Sequence, residues 1–236
     1  MLEKKIYISS NDVDASFNLK ISSFFKMMQD AASDNAEELN IGHTRTNKDN
    51  RIWVITRFYV EINKLPKFQD EVILKTYPGE TLRFVFSRYF ELKDLKGNTL
   101  IRASSTWLVL DRETRKICLR PFEENIKAEQ YGNELPLPDK VIVPSDLFHI
   151  EDRKVRYSDI DSNGHLNNTK YIDYILDIND SNFYLENKIK SLLINYNHEI
   201  KDGEIVSIYS SKSSPLYVKG DLNDLNSFEV MIEFEK

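Results

Sequence analysis

At 236 residues the chain holds either one large domain or two of roughly 110 to 120 residues each. A composition of 41% hydrophobic, 11% aromatic and 30% charged residues excludes a disordered or fibrous chain. A net charge of -6 gives no general attraction to nucleic acid or to an anionic membrane. The single cysteine, Cys118, excludes an intrachain disulfide and a cysteine-based zinc site, and its alternating context reads as a small buried hydrophobe.

In chain order, a strand is expected over 4–9, then a helix from Ile21 through Leu39 that stops near Gly42. Strand patterns follow over 52–62, 71–77, 83–92 and 99–110, with LKGNT at 95–99 as a hairpin signal. Residues 120–145 carry four of the seven prolines and little alternation, which reads as a linker. A strand over 148–157 leads to a second helix beginning near Thr169. Shorter strand patterns at 191–200, 204–210, 216–219 and 228–234 complete the chain. No stretch approaches the roughly 20 apolar residues of a membrane-spanning helix. The opening MLEKKIYISS lacks the apolar run of a signal peptide, so a cytoplasmic location is expected.

The two halves repeat. DASFNLKISSFFKMMQD, 14–30, lies over DSNGHLNNTKYIDYILD, 161–177, without a gap. In each, an aspartate leads a polar turn, and apolar residues then recur at helical spacing. A helix followed by antiparallel strands, done twice, predicts an α+β chain of two similar units.

Chemistry is expected at 159–171, DIDSNGHLNNTKY. Asp161, Asn163 and His165 alternate, so in an extended loop they would project to one side. A carboxylate can orient an imidazole, and an amide can hold a water. Asn167 and Asn168 are candidate caps for the following helix, whose N-H groups would then face whatever the loop binds. The same residues also suit a plain capping turn, and local spacing leaves both readings open. His149, His165 and His198 show no paired-ligand spacing, so no metal is expected.

IWVITRFYVEINKLPKFQDEV at 52–72, RASSTWLVLDRETRKICLRP at 102–121 and DIDSNGHLNNTKYIDYIL at 159–176 together resemble the acyl-acyl carrier protein (acyl-ACP) thioesterases, and the resemblance runs over nearly the whole chain. It implies two tandem hot-dog domains, each a long helix wrapped by an antiparallel sheet. The expected division is an acyl-binding domain at 1–120, a linker at 121–145 and a catalytic domain at 146–236. With no transit peptide legible before the first strand, the chain looks like a bacterial form. The implied activity is hydrolysis of the thioester that joins a fatty acyl chain to acyl carrier protein, with release of free fatty acid and an end to chain elongation. An acyl-coenzyme A thioesterase or a 3-hydroxyacyl thioester dehydratase of the same fold are the alternatives.

The family's D-x-N-x-H motif falls on Asp161, Asn163 and His165, and its further catalytic glutamate, in a strand after the second helix and a Tyr-x-x-Glu context, on Glu199. The next position, a cysteine in many plant members, is Ile200, which excludes a thiol nucleophile there. The resemblance implies that Asn163 and Glu199 hold and activate a water while His165, steadied by Asp161, faces the thioester carbonyl. Direct attack by Asp161 or Glu199 through an anhydride stays open. No cofactor is implied. The expected partner is acyl carrier protein bearing a phosphopantetheine-linked chain, with no nucleic acid or membrane, and a homodimer is compatible with the sequence. Arg112, Arg115 and Lys116, and Arg153, Lys154, Arg156 and Lys170, are candidate contacts for an acidic carrier. Phe24, Phe25, Met27, Met28 and Trp53 are candidates for an acyl tunnel, or for plain core.

Overall fold

The structure, a computed structural model, describes residues 1–122 and 126–235; the part of the expected linker at 123–125 lies outside the described residues. The chain divides into two compact units, Met1–Pro138 and Asp139–Lys236. Residues 126–138 belong to the first unit: Ser104 donates its hydroxyl to Pro136 O at 2.6 Å, and Tyr77 donates its own to Glu134 at 3.1 Å.

In the first unit, strands β1 (Leu2–Tyr7), β2 (Arg51–Ile62), β3 (Glu71–Leu82), β4 (Val85–Asp94) and β5 (Thr99–Asp111) form an antiparallel sheet in the order β1-β3-β4-β5-β2. Helix α1 (Ile21–Glu38) packs on it and is followed by a short α2 (His43–Lys48) that the sequence pattern did not announce. The apolar residues Ile21, Phe24, Phe25, Met28, Ala31 and Ala32 recur at helical spacing and are buried, so one stripe of α1 makes the core. The hairpin between β4 and β5 turns through Gly97 at a φ of 87°, a left-handed conformation that glycine adopts without a Cβ clash.

The second unit repeats the plan with β6 (Phe148–Lys154), β7 (Ile189–Tyr196), β8 (Ile205–Ser210), β9 (Leu216–Leu222) and β10 (Leu225–Phe234), antiparallel in the order β7-β10-β9-β8-β6. Its helix α3 (Asn168–Leu176) is half the length of α1 and is followed by α4 (Ser181–Glu186). Tyr171 on α3 meets Tyr196 of β7 and Phe228 of β10 edge to face, with ring centroids 5.2 and 5.4 Å apart. These contacts seat the start of α3 on the sheet. No helix among the described residues is long and apolar enough to cross a membrane.

Candidate active site

The loop ahead of α3 is a tight turn. The Asp161 N-H donates to His165 O at 2.9 Å, and the Gly164 N-H donates to Asp161 O at 3.1 Å. Asp161 Oδ1 accepts from the Asn163 N-H at 2.8 Å and the His165 N-H at 3.4 Å. Gly164 has a φ of 82°. The polar turn read from the sequence is present, and it is not extended: an aspartate that bonds the backbone two residues on folds the chain over, so the alternate positions do not share a side by strand geometry. Asp161 acts on His165 at its backbone N-H, and Asn163 sits exposed near the tip.

Asn167 is the helix cap, its Oδ1 accepting from the Thr169 N-H at 2.9 Å, while Asn168 is the first helical residue. The Lys170 N-H goes to Asn167 O at 2.8 Å. Asn167 thus uses two of the helix-end donors that the sequence reading left for a ligand.

A second loop closes on the first. The Leu166 N-H donates to Ile200 O at 2.7 Å, and His165 bridges to Lys201. This brings His165 Nε2 to 3.3 Å from Glu199 Oε2, with 19% and 34% of the two side chains exposed. Glu199 is not on a strand as expected. β7 stops at Tyr196, and the N-H groups of Asn197 and His198 both turn to Ser227 O, which takes the chain out of the ladder. The result is a carboxylate and an imidazole in contact, both open to water, ahead of a capped helix.

Three tyrosine hydroxyls surround this junction, and none was anticipated from sequence. Tyr174 donates to Asp159 Oδ2 at 2.8 Å, Tyr196 to Asn168 O at 3.2 Å, and Tyr171 to His198 O at 3.5 Å. Burial pushes the phenols of all three upward, and the bond to Asp159 adds to the effect for Tyr174. They are neutral donors throughout the physiological range.

The first unit keeps the same frame without the reactive groups. Asp14 Oδ1 accepts from the N-H groups of Ser16 at 2.8 Å and Asn18 at 3.0 Å, and the Leu19 N-H donates to Pro66 O at 2.8 Å. Asn63 and Lys64 turn their N-H groups to Leu100 O, as Asn197 and His198 do to Ser227. By these matching bonds Asn18 stands for His165 and Leu65 for Glu199.

The other candidates divide. Phe24, Phe25 and Met28 are completely buried, with the Phe25 ring 5.0 Å from Phe58, and they fill the core of the first unit. Trp53 donates its indole N-H to Ile41 O at 2.7 Å and stacks on Phe122 at 5.5 Å. Cys118 is only half-buried, against the buried position expected. Arg153 lies over the Tyr174 ring and bonds Asp177, Lys170 pairs with Asp173, and Arg112 bonds Asn47, whereas Lys116, Lys154 and Arg156 are exposed. His149 pairs with Asp152. Among the described residues no three His, Cys, Asp or Glu side chains group as a metal site.

A helix packed on an antiparallel sheet, done twice, defines a protein of two tandem hot-dog folds. The acyl-ACP thioesterase N-terminal domain matches residues 1–128 and the C-terminal domain of the same family matches residues 144–233, so the chain belongs to the acyl-ACP thioesterase family. It is 32% identical over 164 residues to a chloroplastic palmitoyl-acyl carrier protein thioesterase of Arabidopsis thaliana, covering 64% of this chain and 39% of that protein. It is 24% identical to the chloroplastic oleoyl-acyl carrier protein thioesterase 2 of the same plant, over 95% of this chain and 66% of the relative. The chain thus spans two thirds or less of the length of these relatives. Among solved structures, an acyl-ACP thioesterase from Bacteroides thetaiotaomicron has the same fold with a TM-score of 0.91 and 23% identity, covering 99% of this chain and 97% of that one. The 12:0-ACP thioesterase of Umbellularia californica follows with a TM-score of 0.82 and 20% identity, over 99% and 96%.

Proposed function

We propose that this chain hydrolyses the thioester of fatty acyl-acyl carrier protein, releasing the free fatty acid and the carrier thiol. The observation that carries the reading is the His165–Glu199 contact at 3.3 Å, in a member of this family, at a junction whose sister loop lacks both residues. A thioester carbonyl is already electrophilic, so the site needs a positioned water, a base and a stabilised oxyanion. Glu199 takes a proton from water as the oxygen bonds to the carbonyl carbon. The tetrahedral intermediate then expels the thiolate, and the proton held by Glu199 returns to the sulfur. Asn163 orients the water, His165 lies on the carbonyl side, and Asp161 holds the loop on which both sit. Domain roles follow the sequence reading, with acyl binding at 1–120 and the chemistry at 146–236. Exposed Lys154 and Arg156, next to the loop, suit an acidic carrier.

Carrier protein loaded with acyl chains of graded length, assayed for free acid, tests the reading. Wild type is expected to release acid, and His165→Ala and Glu199→Ala to lower kcat by about 100-fold or more. Release from coenzyme A esters but not from carrier esters would transfer the reading to the coenzyme A class. Heavy-oxygen label found in a protein carboxylate after one turnover would replace water attack with an anhydride. Lys154→Glu with Arg156→Glu is expected to raise KM for the carrier substrate and leave a small thioester substrate unaffected; an unchanged KM for the carrier substrate, or the same rise for both substrates, defeats the docking assignment.

A further inference from the structure

We infer that Tyr171 is a positioning residue for Glu199, acting through its hydroxyl on the peptide groups that flank the carboxylate. The inference rests on the thioesterase reading of this site. Tyr171 is 3% exposed, so its hydroxyl must find its partners inside the protein. It donates to His198 O, the carbonyl just before Glu199, at 3.5 Å, and the Ile200 N-H just after Glu199 lies near the Tyr171 hydroxyl oxygen. Farther out, Asn197 and His198 are anchored by their N-H groups to Ser227 O, and Ile200 O by the Leu166 N-H. One hydroxyl therefore spans the two peptide groups nearest the carboxylate, while the carboxylate itself reaches His165 Nε2.

The internal repeat supplies a control that the protein has built into itself. Position for position, Tyr171 corresponds to Phe24, Tyr174 to Met27 and Tyr196 to Ile62. Phe24 is fully buried, as Tyr171 nearly is, so the ring serves packing in both units. The hydroxyl is present only in the unit that has a glutamate to hold. In the first unit Leu65 takes the place of Glu199, and there Phe24 makes the same helix position without a polar group. Packing alone asks for an aromatic ring at this site. The oxygen needs a separate reason, and the loop carrying Glu199 provides it. A carboxylate that must meet both an imidazole and a water loses rate when its backbone drifts by a fraction of an ångström.

The test is Tyr171→Phe, which keeps the ring and copies the sister residue. We expect kcat on acyl-carrier substrate to fall 5- to 30-fold with KM within twofold, and the thermal midpoint to move little. In a Glu199→Ala background the same change is expected to have no further effect on the residual rate, because the two residues act as one unit. Tyr184→Phe, which removes a hydroxyl bonded to Leu176 O away from the loop, serves as the control with unchanged kinetics. A readout independent of turnover is amide hydrogen exchange: the Ile200 N-H should exchange about tenfold faster in Tyr171→Phe, with Leu166 unaffected. Wild-type kcat in Tyr171→Phe, an equal loss in the Glu199→Ala background, or unchanged Ile200 exchange would each overturn the inference. A wild-type chain that releases no acid from any thioester defeats the functional reading instead, and the exchange arm still decides whether the hydroxyl holds the loop.

Discussion

Asp161 separates a loop-building role from a chemical one. Its Oδ1 accepts from the N-H groups of Asn163 at 2.8 Å and His165 at 3.4 Å. The short bond is worth about 1 kcal/mol and the long, partly hydrated one less, so Asp161→Ala should cost roughly 1 to 2 kcal/mol of loop order. A loss of about 1.4 kcal/mol shifts a conformational equilibrium tenfold, so the fraction of molecules with His165 set against Glu199 falls by up to about that factor. Asparagine has the same acceptor oxygen and caps nearly as well as aspartate. Asp161→Asn is therefore expected to keep kcat within about threefold, while Asp161→Ala loses about tenfold. The first unit offers the matched comparison: Asp14 Oδ1 makes the same two bonds, at 2.8 and 3.0 Å. Asp14→Ala should lower the urea midpoint about as much as Asp161→Ala and leave kcat alone. The assay is acid release from acyl-carrier substrate beside urea unfolding of the same preparations. If Asp161→Asn is as inactive as Asp161→Ala, the charge itself takes part in the chemistry and the loop argument is wrong.

Two further outcomes test the frame around the site. Gly220 on β9 lies opposite Phe228 of β10, and a Cβ there would fall 2.0 Å from Phe228 Cε1. Gly220→Ala is expected to destabilise by about 1 to 3 kcal/mol, and Phe228→Leu in the same chain to recover part of that, read by urea unfolding. A Gly220→Ala variant as stable as wild type would show that the ring has somewhere to go. In the first unit Glu91 is 7% exposed; burial pushes its carboxyl up, but bonds from Thr99, Lys93 and Asn133 outweigh this and hold it below its ordinary value of 4.5. A depressed folded pKa stabilises above the ordinary value, and that contribution disappears as pH falls through the folded one. Glu91→Gln should thus be less stable than wild type at neutral pH and show a flatter fall below about pH 4.5. Parallel curves for the two proteins would place the acid sensitivity elsewhere.

Much of this protein was readable along the chain because the signals are local. The alternation of β2 and β5, the helical spacing of Ile21, Phe24, Phe25 and Met28, and the match of 14–30 with 161–177 depend on neighbours a few residues apart. The same match marked His165 and Asn163 as absent from the sister loop. The turn was legible but its shape was not, since alternation says nothing of an aspartate bonding to the backbone two residues on.

Residue types therefore determined the two-unit plan and nominated Asp161, Asn163 and His165, and the family resemblance added Glu199. The tertiary structure decided which of them meet. Asn18 faces Lys67 in one unit and His165 faces Lys201 in the other, so the partner loop follows at different distances along the chain, and a gap-free repeat loses it after the helix. Only the folded chain places Glu199 Oε2 beside His165 Nε2 and the Tyr171 hydroxyl between the peptides that carry the carboxylate. Contacts between residues distant in sequence are made by strand register and loop closure, and no local pattern records them.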